Sequence, residues 1–206
     1  DKYTRNDPRV VFVPVDQAHY GFAFERITQV FDDPRAGDVM VLPASWAVRG
    51  FSTHGHLNNL QSRSPLVFAG PGIRSAPDGA GSDTTIETMQ DGRDALFVDE
   101  VARAVDIAPT VAAALGVDKT SGVGPDGRFS DSVYLRWQDG RVLDEVFTTS
   151  AQQSIQNGEA LAEHAVIIVN DGLTSTEILY QALADASEPT FEIGNYRDLM
   201  NRGVTY

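Results

Sequence analysis

The 206 residues contain no cysteine and only two lysines, and no apolar stretch approaches a membrane span. Without cysteine neither a disulfide nor a thiolate metal site can form. Any bound metal must therefore rest on imidazoles and carboxylates. A spanning helix needs ~18 consecutive apolar residues, and no run comes near that. Base is scarce as well: 16 Lys and Arg stand against 29 Asp and Glu, a formal net charge of −13. Such a chain repels nucleic acid and anionic membrane unless its bases cluster, and no cluster is present. The excess acid either binds cations or keeps the protein soluble, and solubility is the commoner reason. The opening DKYTRNDPR is polar and charged, which does not read as a signal peptide. A start at Asp is expected of a processed or excised chain.

What is there suits a globular protein, with 42% hydrophobic and 22% charged residues. Short apolar, β-branched runs at 10–15 and 38–43 predict strands, and FAFERITQVF (22–31) has helical spacing. Residues 45–64 have no sustained period and predict a long loop. PLVFAGPGI (65–73) predicts a third strand, and the polar stretch 75–94 an exposed excursion. Within 98–117 the signals agree on a helix, with Asp106 just before it, Pro109 in its first turn and Gly116 after its end. A turn at 122–131 precedes a hairpin over 132–147 around Asp139-Gly140. A linker or short helix follows, then a buried strand AVIIV (165–169), a helix at 174–185, and a closing helix and strand start in NYRDLMNRGVTY. Strands alternating with helices argue for an α/β fold, a mixed or mostly parallel sheet flanked by helices.

Asp171 ends the run HAVIIVND, at the carboxyl edge where open α/β sheets bind ligands. Its carboxylate could hold a cation or cap the following helix, and position alone favours the cap. His54 and His56 lie in STHGH inside the long loop, and a lone histidine pair reads more simply as solvated. His19 and His164 lack local partners and read as structural. GPGI (70–73) is too short for a phosphate loop, and DGAGSD (78–83) departs from a calcium loop.

Read together, the stretches say more. GDVMVLPASWAVRGFSTHGHLNNLQSRSPLVFAGPGI, then VDEVARAVDIAPTVAAALGV, then GPDGR, resemble the C-terminal part of the alkaline phosphatase superfamily, in its type I phosphodiesterase and nucleotide pyrophosphatase branch. The match covers roughly residues 37–128. HAVIIVNDGL and NYRDLMNRGVTY are similar to the beginning of the same domain, over 164–206. The resemblance implies an alkaline-phosphatase-like fold, incomplete in this chain, with His54 as a ligand of one zinc and Asp171 of the second; His56 is not a ligand. By the resemblance the family's nucleophilic Thr or Ser is expected after Tyr206 and its other ligand motifs before Asp1, so the catalytic residue is not found in this chain.

The implied order is inverted, with the family's end at 1–132, a hairpin and linker at 133–160, and the family's beginning at 161–206. An excerpt across two tandem domains is the first expectation, a longer enzyme with unrepresented stretches the second, and a permuted domain the last. By resemblance the function is that of a zinc-dependent phosphoric-ester hydrolase, a phosphodiesterase or phosphatase. It would act outside the cell or in the periplasm on a phosphate-ester small molecule, with no nucleic-acid polymer as partner. Two zinc ions would stabilise charge on the attacking and leaving oxygens. Two ligands do not hold two metals tightly, so the isolated chain is expected to be weak or inert as a catalyst, though excess zinc would still reach its ligands. The alternative is a non-catalytic α/β structural or interaction domain that keeps the superfamily frame.

Overall fold

The computed structural model describes residues 64–170 and 193–206. The elements read at 10–15, 22–31, 38–43 and 174–185, and nearly all of the 45–64 loop, lie outside them.

Asp94-Ala-Leu-Phe-Val98 organises the described sheet. Three of its five residues are buried, and successive side chains serve opposite faces. It pairs antiparallel with Thr84–Thr88, with Ile86 opposite Leu96, and parallel with Gly203–Thr205, with Leu96 opposite Val204. Gly203–Thr205 in turn pairs antiparallel with Val67–Ala69. Numbering strands along the chain, β1 (Val67–Ala69), β2 (Thr84–Thr88), β3 (Asp94–Val98) and β6 (Gly203–Thr205) form a mixed sheet in the order β1-β6-β3-β2. A separate ribbon joins β4 (Thr120–Val123) and β5 (Phe129–Val133). The helices are α1 (Ala104–Ala114), α2 (Thr149–Gln156) and α3 (Gly194–Asn201). The described residues are thus a mixed α/β structure.

Both faces of the sheet are covered. Ala95, Met89, Ile193 and Met200 cluster on one side, with Val67, Phe97 and Tyr196 packed against them. Leu96, Val98 and Val204 face the other side, where they meet Leu143, Val146, Phe147 and Ala151. Burial on both faces explains why DALFV reads as an almost unbroken apolar run. Gly203 is required by close approach: a Cβ there would lie 1.9 Å from the Phe68 carbonyl oxygen.

Several sequence readings change. The excursion at 75–94 contains strand β2, whose TTIET carries one apolar side chain and escapes an apolar-run criterion. The hairpin expected around Asp139-Gly140 is not formed: β5 ends at Val133, Trp137 makes an isolated parallel bridge to Val123, and a 3-10 turn covers Asp144–Val146. The glycine there serves packing. Pro109 lies inside α1 and has no N–H to offer the Val105 carbonyl, and a Cβ on Gly140 would sit 2.0 Å from that oxygen. Asp106 stands three residues into the helix after its N-cap Arg103, not ahead of it. The AVIIV run is neither buried nor paired among the described residues, with Val166, Ile167, Ile168 and Val169 exposed by 85, 61, 71 and 83%. Its composition suits an interior strand, but no described strand lies beside it.

Candidate functional site

His54 and Asp171, and His56 with them, lie outside the described residues. The structure describes residues that follow His54 in the chain from 64 onward and those on either side of the stretch 171–192. Asn170 precedes Asp171, and its side-chain amide donates to the Tyr196 hydroxyl. Tyr196 belongs to α3 and packs against the cluster of Ile193 and Met200. α3 runs into β6 through Arg202, the residue at its C-terminal cap. From the other side, the chain downstream of the Ser-Thr-His-Gly loop enters β1, where the Tyr206 N–H donates to the Leu66 carbonyl at 2.9 Å. The chain following each assigned residue therefore enters the same sheet, as antiparallel neighbours β1 and β6.

The Gly-Pro-Gly-Ile turn after β1 uses Gly72 at φ 72°, a left-handed conformation that glycine adopts freely. It delivers Arg74 to the edge of a hollow of about 470 Å³ also lined by Asp83, Thr148, Thr149 and Gln152. The Arg74 guanidinium donates to the Asp83 carboxylate at 3.2 Å, to the Glu145 carbonyl at 3.0 Å and to the Thr84 hydroxyl at 3.1 Å. These bonds commit the cation to holding the 79–83 loop against the 3-10 turn.

Behind that turn lies a charge network centred on Glu145. Arg141 reaches Glu145 with both arms of its fork, at 2.8 and 2.5 Å, and Glu100 at 3.1 Å. The Tyr206 hydroxyl donates to Glu145 at 2.8 Å. Burial works to raise the Glu145 carboxyl, but the hydrogen bonds from Arg141 and Tyr206 outweigh it and hold the group below its ordinary range. Burial, then the bond to Glu145, pushes the Tyr206 phenol far above its own.

A second hollow, of about 310 Å³, is lined by Lys119, Ser132, Tyr134, Gln138, Asp144 and Gln152, among others. The Lys119 ammonium lies 5.6 Å from the centre of the Tyr134 ring, within cation–π range. Burial raises the Tyr134 phenol, helped by the charge of Asp144, and burial with the charge of Glu145 raises the Asp144 carboxyl. Nothing in the linear sequence marks this hollow, because its residues come from three separate segments.

The Val-Asp-Ile-Ala-Pro-Thr motif has a structural occupation. The Asp106 carboxylate, 1% exposed, accepts from the backbone N–H of Arg103 at 2.7 Å and of Arg141 at 2.9 Å. The Thr110 hydroxyl donates to the Asp106 carbonyl at 2.7 Å and accepts from the Leu143 N–H at 3.0 Å. The motif stitches α1 to residues 141–143.

Among the described residues no group of three or more His, Asp or Glu is arranged to hold a metal, and no helix is long and apolar enough to cross a membrane. Comparison with family models, curated proteins and solved structures finds no match.

Proposed function

We propose that this chain is part of a zinc-dependent phosphoric-ester hydrolase of alkaline-phosphatase-like fold, with His54 and Asp171 as ligands of its two metals. One observation carries the reading. β6, at the end of the stretch that resembles the family's beginning, is the strand between β1 and β3, which belong to the stretch that resembles its end. A phosphoryl-transfer site of this type needs both stretches in one domain. Asp171 and His54 supply a carboxylate and an imidazole, which suit zinc in a chain without cysteine. The bound ions would stabilise charge on the oxygens of a phosphate ester, acted on outside the cell or in the periplasm.

The test is native mass spectrometry of the chain with excess zinc, beside His54→Ala and Asp171→Ala. The reading expects zinc on the wild type and a lower zinc load on each variant. Equal loading of all three proteins, or none on the wild type, rejects it.

A second reading, a non-catalytic α/β interaction domain, is favoured by the exposed Val166–Val169 run. Four uncharged apolar residues in water form a ready pairing surface. Wild-type zinc binding that depends on neither His54 nor Asp171 would leave this reading as the better one.

A further inference from the structure

The β4–β5 ribbon carries an exposed face that neither reading uses. Val123 stands at its centre. It is paired with Phe129 across the antiparallel ladder and bridged to Trp137 on its other side. The bridge is held by the Val123 N–H on the Arg136 carbonyl and the Gln138 N–H on the Val123 carbonyl, both at 2.9 Å. Residues directly opposite one another in neighbouring strands present their side chains to the same face. Phe129 and Trp137 therefore flank Val123 on one face, two strand spacings or ~9–10 Å apart. They are 73% and 74% exposed, the two most exposed aromatic residues among those described.

The same face continues in polar groups. Ser121 and Asp131 lie two residues along from Val123 and Phe129, and the Ser121 hydroxyl donates to Asp131 Oδ1 at 2.6 Å. The second oxygen of that exposed carboxylate remains open to an incoming hydroxyl.

We propose that this face binds a neutral glycan, with sugar rings laid on Phe129 and Trp137 and a ring hydroxyl donating to Asp131. Each alternative occupant meets an obstacle. Three apolar side chains fall far short of the ~800 Å² per partner, or 20–30 residues a side, of a stable protein interface. The net charge of −13 opposes nucleic acid and anionic lipid, which are polyanions. A neutral saccharide carries no charge to repel. Its C–H faces suit the electron-rich faces of the rings, and its hydroxyls suit the carboxylate. The two strand spacings between positions 129 and 137 are about the distance between alternate sugars along an extended chain.

The experiment is affinity electrophoresis of the full chain in gels containing hydroxyethyl cellulose, with calorimetric titration of cellohexaose. Wild type is retarded, and Trp137→Ala and Phe129→Ala each bind at least tenfold more weakly. Asp131→Asn weakens binding severalfold. Both aromatic side chains are largely in water, so these variants keep the wild-type circular dichroism. The proposal is overturned if wild type is not retarded, if either aromatic variant binds as wild type does, or if sedimentation shows a dimer that Trp137→Ala dissociates.

Discussion

The Tyr206 hydroxyl donates a hydrogen bond to Glu145 across 2.8 Å, closing the end of strand β6 onto the 3-10 turn at Asp144–Val146. Glu145 is held at the same time by the fork of Arg141, so one carboxylate joins the sheet, the turn and, through Arg141, Glu100. The bond couples packing to proton chemistry, and its sign can be worked out.

The folded state raises the Tyr206 phenol above its unfolded value, so the stabilisation it brings is complete below about pH 10 and declines as pH rises beyond that. Tyr206→Phe removes a hydrogen bond to a charged acceptor and should cost ~1.5–3 kcal/mol near pH 8. It should also show a smaller loss between pH 8 and pH 11 than wild type does. Urea midpoints at the two pH values measure both effects. Parallel losses in the two proteins would mean that folding does not raise the Tyr206 phenol.

Glycine at 140 is a matter of space. A methyl group there meets the Val105 carbonyl oxygen at 2.0 Å and its carbon at 2.4 Å, so backbone must move. Gly140→Ala is expected to cost roughly 3 kcal/mol or more, at the upper end for overpacked sites. Gly158, at φ 78° with open space around it, makes the control. Alanine there should cost only about 1–2 kcal/mol, from the left-handed backbone alone. Similar losses at the two positions would contradict the close packing of residue 140 on α1.

Thr205 is fully buried in β6, and its hydroxyl has no hydrogen-bond partner among the described residues. A buried donor without a partner costs ~1–3 kcal/mol. Thr205→Val keeps the shape and removes the polar atom, so thermal unfolding should shift upward, with a gain of about 1 kcal/mol. A lower midpoint would show that the hydroxyl is satisfied.

Helices α1 and α3 and strand β6 were legible in the sequence because each has local signals: an Ala-rich body with acid near the start, or a short amphipathic run ending at Gly203-Val204-Thr205. β2 was not, since its side chains are mostly threonine and glutamate, although Asp91-Gly92 between β2 and β3 was a usable turn signal. Asp139-Gly140 misled because glycine serves tight turns and tight packing equally, and only the neighbouring helix decides which. Asp106 drew attention as the start of α1, but its hold on the Arg141 backbone joins residues 35 positions apart and leaves no local trace. Of the candidate site, His54 and Asp171 were legible only as parts of motifs. The hollow around Tyr134 depends on tertiary contacts that no local pattern encodes.

The place of β6 within the sheet also bears on how the protein comes to be made. Its two neighbours, β1 and β3, are more than a hundred residues ahead of it in the chain. A ribosome therefore releases β1, β2 and β3 long before the strand that joins them exists. During that interval β1 lacks its partner among the described strands and β3 has the edge that β6 will take still bare, both open to pairing with other nascent chains. Closure must await a distant segment and a large loop, which makes the step slow. Production in cells should accordingly respond to growth temperature and to chaperone supply more than the finished fold would suggest.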